Sequence, residues 1–340
     1  AKNHDAVWLL AKFFQLALAQ FRHIEYLTFS VPYTDIDISK MLKGVGQFVG
    51  VPKESVYVQD YKESFCHYMF YQPKELWQYE AALFYCDRNE IRAYMLRRLR
   101  KLRGRGDELF VAVDEVANAH MKELAAVYPV LNVDKAKDAD ERFKSFIQSV
   151  FDKKVVSSVY LTGEGFENNW YPASLKVLCN GRRAFLGNNL YSRGACYTAY
   201  RKCRDYEDSP IYLDNTKMTD QICLRMRVGG KEGWYPIVQW GSHWYEADGQ
   251  WDVLLEDTSD IEIHIESLGS GELQAETVSL AGLPERKDYA LRLTIEVMFL
   301  DEYTCRISFR DAGFGEFFPA TDFHVEKTIH LGGSNGQFNS

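Results

Sequence analysis

Apolar side chains recur at helical spacing near the start of the chain. They are Val7, Leu10, Ala11, Phe14, Leu18 and Phe21. This spacing predicts an amphipathic or buried helix over residues 5–22. Lys12 and Gln15 interrupt the apolar stretch, which argues against a secretion signal. No apolar run in the sequence is long enough to cross a membrane, so no membrane contact is expected.

Strand and helix patterns then alternate as far as about residue 206. The pattern predicts strands over 23–31, 56–58, 80–85, 91–96 and 108–116, and helices over 37–50, 63–71 and 138–154. Asp35 or Asp37 is the expected cap of the second helix, and Asp138 or Asp140 is expected near the start of the last. This alternation is typical of α/β architecture.

The stretch from residue 155 to 200 combines the features most suggestive of a site. It predicts an apolar strand over 155–161, a Gly163-Glu164-Gly165 turn, a helix that buries Leu175, Val177 and Leu178, a strand over 183–185 and a helix from about 189. Glycines directly after a buried strand let the backbone approach something closely. Ligands of open α/β sheets bind beyond the carboxyl ends of the strands. The same pattern also fits a turn that only joins a strand to a helix.

The pattern changes after an acidic, proline-containing stretch near residues 205–216. Short apolar or alternating segments follow at 222–228, 235–239, 251–255, 261–265, 273–280, 290–299 and 304–309, separated by turn residues. Such spacing predicts an antiparallel β-sandwich.

Composition narrows the functional classes. The 340 residues carry a formal net charge of −8, which argues against a nucleic-acid partner. A basic run over residues 97–105 is either a nucleic-acid patch or a solvated loop. The seven scattered cysteines contain no CxxC pair, and the eight histidines show no zinc spacing. The sequence therefore predicts a reducing, cytoplasmic location and no metal site.

Three segments in the stretch from residue 155 carry a family resemblance. They are Val159 to Gly165 (VYLTGEG), Leu178 to Arg182 (LCNGR) and Asn188 to Cys196 (NNLYSRGAC). Their order and spacing resemble the C-terminal part of the ATPase domain of the DnaK-type heat-shock chaperones, which has the actin fold. The resemblance implies that Gly163, Glu164, Gly165, Gly194 and Ala195 line an adenosine site. ATP or ADP with Mg²⁺ is the cofactor that it implies.

Two phosphate loops of that family are altered or absent here. In the hairpin at residues 80–96, Asp87 matches the family's aspartate and would hold Mg²⁺ through water, but Arg88 and Asn89 replace the glycines. Without glycine the backbone does not readily form a phosphate nest. The other loop would precede residue 1, so the chain is expected to be a fragment lacking that N-terminal segment. The region between Leu99 and Asp138 is too short for the family's helical insert.

The catalytic candidates are single carboxylates. Glu63 occupies the place of a family glutamate in the segment 63–68 and could act through a water, although Ser64 replaces the expected proline. A glutamate at a helix start is equally a cap or a solvated residue. Asp87 is equally a hairpin-turn aspartate.

The last third of the chain resembles the peptide-binding β-domain of the same chaperones. The matching segments are Leu280 to Pro284 (LAGLP), Leu293 to Asp301 (LTIEVMFLD), Cys305 to Asp311 (CRISFRD) and Gly313 to Gly315 (GFG). Four tryptophans, Trp234, Trp240, Trp244 and Trp251, crowd one stretch of it. They form either a surface for an extended peptide or sugar, or the core of the sandwich.

The sequence therefore predicts an α+β multidomain protein. Residues 1–206 form a partial actin-like or ribonuclease-H-like α/β domain, with 1–75 as the rest of a first lobe and 76–206 as a second lobe with a reduced insert. Residues 214–332 form the β-sandwich. The expected function is a divergent chaperone-like protein with a degraded nucleotide site that binds peptide or protein through the sandwich. The alternatives are an active ATPase chaperone when the missing segment is present, and an actin-fold scaffold. The oligomeric state stays open.

Overall fold

The computed structural model describes most of the chain. The described residues are 2–87, 89–100, 102, 108–204, 210–256, 258–268, 273–284, 286 and 291–332, with side chains from residue 7 onward. The chain divides into two compact units. One contains Ala1–Leu99 and Leu109–Tyr212, and the other contains the described residues of Arg100–Glu108 and Leu213–Ser340. The protein is a mixed α+β protein, as the sequence predicted.

The first unit contains six described α-helices. They are α1 (Lys2–Ala17), α2 (Ile36–Phe48), α3 (Tyr61–Phe70), α4 (Val133–Val150), α5 (Pro172–Leu178) and α6 (Leu190–Arg204). The helices predicted over 5–22, 37–50 and 63–71 are confirmed, with ends that differ by up to five residues. The carboxylate of Asp35 accepts a hydrogen bond of 2.7 Å from the backbone N–H of Ile38, so Asp35 is the cap of α2.

A small parallel sheet comes first in this unit. It pairs β1 (Leu27–Val31) with β2 (Val56–Asp60), and α2 makes the crossover between them. Parallel strands require such a crossover. Ala11 of α1, Phe29 of β1 and Val45 of α2 are buried together in its core.

A six-stranded sheet organises the rest of the first unit. Its strands are β3 (Glu80–Asp87), β4 (Glu90–Arg98), β5 (Phe110–His120), β6 (Val156–Thr162), β7 (Arg183–Leu186) and β8 (Ile211–Tyr212). The spatial order is β7-β6-β3-β4-β5-β8. The strand β4 is antiparallel to β3 and β5, whereas β3–β6, β6–β7 and β5–β8 are parallel pairs.

Alternate side chains of this sheet enter two separate cores. Phe84 of β3 packs with Phe143 of α4 and Leu178 of α5 on one face. Leu83 of β3 packs with Phe65 of α3 and Leu190 of α6 on the other. Because side chains of a strand point alternately to opposite faces, β3 contributes to both cores. The sheet is therefore a central layer between two helical layers.

Two expectations about the helices on this sheet were wrong. The helix α4 begins at Val133, capped by Asn132, and neither Asp138 nor Asp140 lies at its start. Asp140 is buried and instead accepts hydrogen bonds of 2.7 and 2.8 Å from the backbone N–H groups of Ala173 and Ser174, in the first turn of α5. Leu175, expected to be buried, is 42% exposed because α5 turns this side chain toward solvent.

The second unit consists of antiparallel strands. They are β9 (Asp220–Val228), β10 (Lys231–Val238), β11 (Gly249–Leu254), β12 (Asp260–Ser267), β13 (Leu273–Ser279), β14 (Arg292–Asp301), β15 (Thr304–Asp311) and β16 (His324–His330). They form two four-stranded sheets, in the orders β10-β9-β12-β13 and β11-β14-β15-β16. Buried side chains of both sheets, such as Ile222, Ile263, Val297 and Phe309, belong to one apolar cluster. The seven predicted strands are confirmed, and β16 was not anticipated.

None of the helices in the described parts of the chain combines the length and the apolar character that crossing a membrane requires.

Candidate functional site

The glycine turn follows β6 at the carboxyl end of the central sheet. Gly163 has a φ of 101°, which favours glycine. A Cβ atom on Gly163 would overlap the backbone oxygen of Cys86, and one on Gly165 would overlap the Cys86 sulfur. Cys86 lies on β3, next to β6 in the sheet. The close backbone approach predicted at this turn is therefore an approach to β3 of the same chain.

Cys86 is a packing residue at this position. It is fully buried. Burial raises the pKa of its thiol to about 12, and the negative charge of Asp87 acts in the same direction. The thiol therefore stays protonated at neutral pH and is a poor nucleophile.

The residues after the turn fold back onto it. The indole N–H of Trp170 donates a hydrogen bond of 2.6 Å to the backbone oxygen of Gly165. Phe166 and Trp170 are buried in the core shared with α4, whereas Glu164 is exposed. Of the three predicted adenosine contacts in this turn, the structure buries Gly165, partly buries Gly163 and exposes Glu164.

Gly194 and Ala195 lie where α6 crosses α3. A Cβ atom on Gly194 would overlap the backbone oxygen of Ser64. The hydroxyls of Ser64 and Ser30 share a hydrogen bond of 2.6 Å, and the Gln59 amide donates one of 2.9 Å to the Ser64 hydroxyl. The bare face of α6 thus allows contact with α3 at a junction that also includes β1 and β2.

Four tyrosines gather beside the glycine turn, and we call Tyr61, Tyr85, Tyr94 and Tyr191 the tyrosine cluster. The rings of Tyr61 and Tyr191 stack with their centroids 4.1 Å apart and their planes 6° apart. Burial raises the pKa of Tyr85, Tyr94 and Tyr191. The Glu164 carboxylate of the turn also raises the pKa of Tyr85, which places the cluster within electrostatic reach of the turn. Aromatic rings therefore occupy space next to the predicted adenosine contacts.

Glu63 takes part in a partly buried polar chain. Its carboxylate lies 3.7 Å from the Nε2 atom of His67, and the Nδ1 atom of His67 lies 3.0 Å from a guanidinium nitrogen of Arg201. Asp60, not Glu63, caps α3, because its carboxylate accepts a 2.7 Å hydrogen bond from the Glu63 N–H. Glu63 thus has partners within its own chain, on α3 and toward α6.

Asp87 ends β3 at the hairpin and faces Glu90 of β4 in the ladder. Its charge raises the pKa of both Cys86 and Tyr85. Arg88, the first of the residues that replace the family's glycines, lies outside the described residues. Within the described parts of the chain, no group of three or more His, Cys, Asp or Glu side chains is placed to hold a metal ion.

The four tryptophans of the second unit do not share one surface. Trp244 and Trp251 pack against the core between the two sheets. Trp240 is buried, and its indole N–H donates to the backbone oxygen of Glu266 at 3.3 Å. Trp234 is half-buried and stacks on His264, with ring centroids 3.4 Å apart.

Sequence reasoning missed a group of exposed aromatic side chains between β15 and β16. Phe317 is 92% exposed, and Phe314 and Phe318 are 48% and 38% exposed. A signal for it exists in the sequence, since three phenylalanines lie between turn-forming glycines and Pro319 rather than in an alternating strand.

Two depressions of the surface lie away from the glycine turn. One, of about 490 Å³, is open and lies between the end of β5 and α4, where Met121, Arg142 and Phe146 line it. The other, of about 30 Å³, lies in the second unit beside Asp220 and Trp244. Neither is lined by the glycine turn or the tyrosine cluster.

Comparison with known proteins places the chain in a family. Residues 217–331 match a domain described as "Domain of unknown function (DUF8552)". No curated protein matches the chain. Residues 1–215 match the model described as "Family of unknown function (DUF5716) C-terminal". Since this match extends over more than half of the 340 residues, the chain belongs to the DUF5716 family.

Proposed function

We propose that the first unit has an actin-like, ribonuclease-H-like fold. The order of the central sheet supports this. Three strands in a meander, β3 to β5, are followed by α4, β6, α5 and β7, which extend the sheet from β3 on its other side. The small sheet supports this fold as well. Its elements β1, α2, β2 and α3 show the same alternation of strand and helix as α4, β6, α5 and β7. The resemblance of this unit to the chaperone ATPase predicts the same fold.

The second unit is, in this proposal, a β-sandwich of the kind found in the chaperones' peptide-binding domain. Two four-stranded antiparallel sheets that share one apolar cluster support the architecture. The segments from Leu280 to Gly315 support the family assignment through their sequence alone.

The protein then works as a chaperone-like binding protein and does not hydrolyse nucleotide. The observation that carries this proposal is the filling of the space at the glycine turn. Cys86 contacts both glycines, and the tyrosine cluster, in which Tyr61 stacks on Tyr191, lies within electrostatic reach of Glu164 through Tyr85. An adenosine there would have to displace a partly buried aromatic stack, and such stacking contributes about 1 kcal/mol beyond area burial.

Calorimetric titration with ATP and with ADP, with and without Mg²⁺, tests the nucleotide part of the proposal. We expect no binding heat for either nucleotide. The same titrations compare Tyr191→Ala, which opens the aromatic stack, with the matched control Tyr33→Ala. The Tyr33 side chain is 63% exposed. Mg²⁺-dependent binding by the parent chain would favour the alternative, an active ATPase.

The binding part is tested with an unfolding substrate. We expect the chain to suppress the aggregation of insulin whose disulfides are being reduced, as monitored by light scattering, without any added nucleotide. If a tenfold molar excess of the chain does not suppress insulin aggregation, the proposed chaperone-like function is contradicted, whereas the proposed fold is not affected.

A further inference from the structure

The segment between β15 and β16, residues 312–323, is called the aromatic loop. Its Phe317 side chain is 92% exposed, and Phe314 and Phe318 are also exposed. Single exposed apolar residues are common on protein surfaces, but grouped aromatic side chains mark contact sites. The aromatic loop is therefore a candidate interaction surface in the second unit.

A buried ion pair holds the base of the aromatic loop. The Arg286 guanidinium donates two hydrogen bonds, of 3.0 and 2.7 Å, to the two oxygens of the Asp311 carboxylate. Their side chains are 6% and 0% exposed. The same carboxylate accepts from the Gly313 N–H at 2.9 Å, the Thr321 N–H at 2.9 Å and the Thr321 hydroxyl at 2.8 Å. Asp311 thus ties together the two ends of the loop.

Further contacts fix the backbone within the loop. The Arg286 guanidinium donates to the backbone oxygen of Pro319 at 2.8 Å, and the Phe314 N–H donates to that of Phe318 at 2.6 Å. Gly313 has a φ of 64°, and a Cβ atom there would come within 2.8 Å of the Phe318 oxygen. The loop is closed on itself, so its phenylalanines project from a defined frame.

A fixed frame under exposed aromatic side chains favours binding. Ordering a mobile loop on association costs free energy, and a preorganised loop avoids that cost. Aromatic anchors that enter a pocket are the residues that carry most binding energy in protein interfaces. Phe317, the most exposed of the three rings, is the natural anchor.

The charge of the aromatic loop selects the class of partner. Residues 311–323 contain Asp311, Glu316 and Asp322 and no lysine, arginine or histidine. Arg286 neutralises Asp311, and Glu316 and Asp322 are exposed. Two acidic groups beside the anchor disfavour anionic lipid headgroups and nucleic-acid phosphates. They also disfavour loop-to-loop pairing of two copies, in which like charges would meet.

We propose that the aromatic loop docks Phe317 into an apolar pocket of a folded protein partner, and that basic side chains rim this pocket and face Glu316 and Asp322. The inference deepens the proposed function, because it names the surface through which the second unit contacts protein. It does not rest on the fold assignment of the first unit.

Site-specific photo-cross-linking in the cells that make the natural full-length protein identifies the partner. Benzoylphenylalanine replaces Phe317 in one variant and Leu254, which is 58% exposed on β11, in the matched control. We expect a protein adduct from position 317 that position 254 does not give. The absence of such an adduct, or an adduct only with a second copy of the chain, would overturn the proposal.

Calorimetry with the purified partner then tests the contact itself. We expect Phe317→Ser to weaken binding at least tenfold, Glu316→Lys to weaken it at least threefold, and Leu254→Ser to leave it unchanged. Phe317 has few contacts to lose, so its variant keeps the fold, which circular dichroism checks. Unchanged affinity of Phe317→Ser would overturn the docking inference while the chaperone-like function, read out by insulin aggregation, could still hold.

Flotation with phosphatidylcholine vesicles tests the remaining possible target of the aromatic loop, a lipid membrane. We expect the natural protein to stay with the soluble fraction. Binding to these vesicles that is lost in Phe317→Ser would show that the loop inserts into lipid and would overturn the protein-pocket inference.

Discussion

The contact between α3 and α6 offers a direct test of the packing that fills the candidate site. Gly194→Ala adds one methyl group on α6 where the Ser64 backbone oxygen already lies. The obstacle is backbone, so no side-chain rotation relieves it, and the two helices have to separate. Separation would also disturb the hydroxyl of Ser64, which bridges Ser30 and Gln59.

The size of the effect follows from two opposing contributions. Overpacking a tight interior costs about 3 kcal/mol at its upper range. Replacing glycine by alanine inside a helix returns about 1 kcal/mol. The net expectation is that Gly194→Ala lowers the free energy of unfolding of the first unit by about 2 kcal/mol.

The matched control is Gly44→Ala in α2. A Cβ atom there meets nothing within 4 Å, so only the helix-propensity contribution applies. We expect it to raise the free energy of unfolding by about 1 kcal/mol. Urea unfolding followed by circular dichroism, analysed for each transition separately, compares the two variants. A Gly194→Ala variant as stable as Gly44→Ala would refute the close contact of α3 and α6.

Three further predictions concern the two units. Gly165→Ala should destabilise the first unit by about 2 kcal/mol in urea unfolding, because its Cβ would overlap the Cys86 sulfur in the core; a neutral effect would contradict the packing at the turn. Arg286→Met should cost the second unit about 3 kcal/mol at pH 7, since it leaves the buried Asp311 carboxylate unpaired. Burial alone would raise the pKa of Asp311, but hydrogen bonds from Arg286, Gly313 and Thr321 lower it to about 2. The stabilisation by the ion pair is therefore present above the ordinary value of 3.8 and is lost as pH falls toward 2. A difference in melting temperature between Arg286→Met and the unsubstituted protein that does not change with pH would contradict the assignment. Burial raises the pKa of Asp220 above its ordinary value of 3.8, so its ionisation opposes folding, and this penalty is complete once pH exceeds the raised value. Asp220→Asn should therefore stabilise the second unit by about 1 kcal/mol at pH 7, and in thermal melts this gain should shrink as pH falls through the raised pKa toward 3.8; a gain that grows on acidification would contradict this assignment.

The secondary structure was largely predictable because it depends on local spacing. Helical periodicity located α1, α2 and α3, and alternation located seven strands of the second unit. The strand β16 was not predicted because Lys327 interrupts its alternation, occupying the same face as Val325 and Ile329, which pack against the core. Such charged side chains are usual on a strand at the edge of a sheet, and β16 is an edge strand.

Tertiary roles were less predictable. Asp140 looked like a helix-start residue, but its carboxylate caps α5 from a position 33 and 34 residues before the N–H groups it accepts from. No local pattern encodes such a long-range contact. The tryptophans of the second unit show the same limit, since their spacing does not tell which of them enter the core.

The candidate site was predictable only in part. The sequence located the glycine turn and the bare face of α6, because glycines after a strand and on a helix are local signals. It did not reveal that Cys86 and the tyrosine cluster occupy the adjoining space, because those residues come from α3, β3, β4 and α6 and meet only in the folded unit. The exposure of the aromatic loop was not predicted, because Phe314, Phe317 and Phe318 follow neither helical nor strand periodicity, the two patterns from which burial can be read.

The central claim is that side chains of the protein, not a nucleotide, fill the space at the glycine turn. Calorimetric titration of ATP and ADP into this chain and into the longest natural form, with and without Mg²⁺, tests it most directly. The account predicts no binding in either case. Mg²⁺-dependent binding in either titration, accompanied by ATP turnover that Glu63→Gln or Asp87→Asn abolishes, would contradict it and establish a working ATPase.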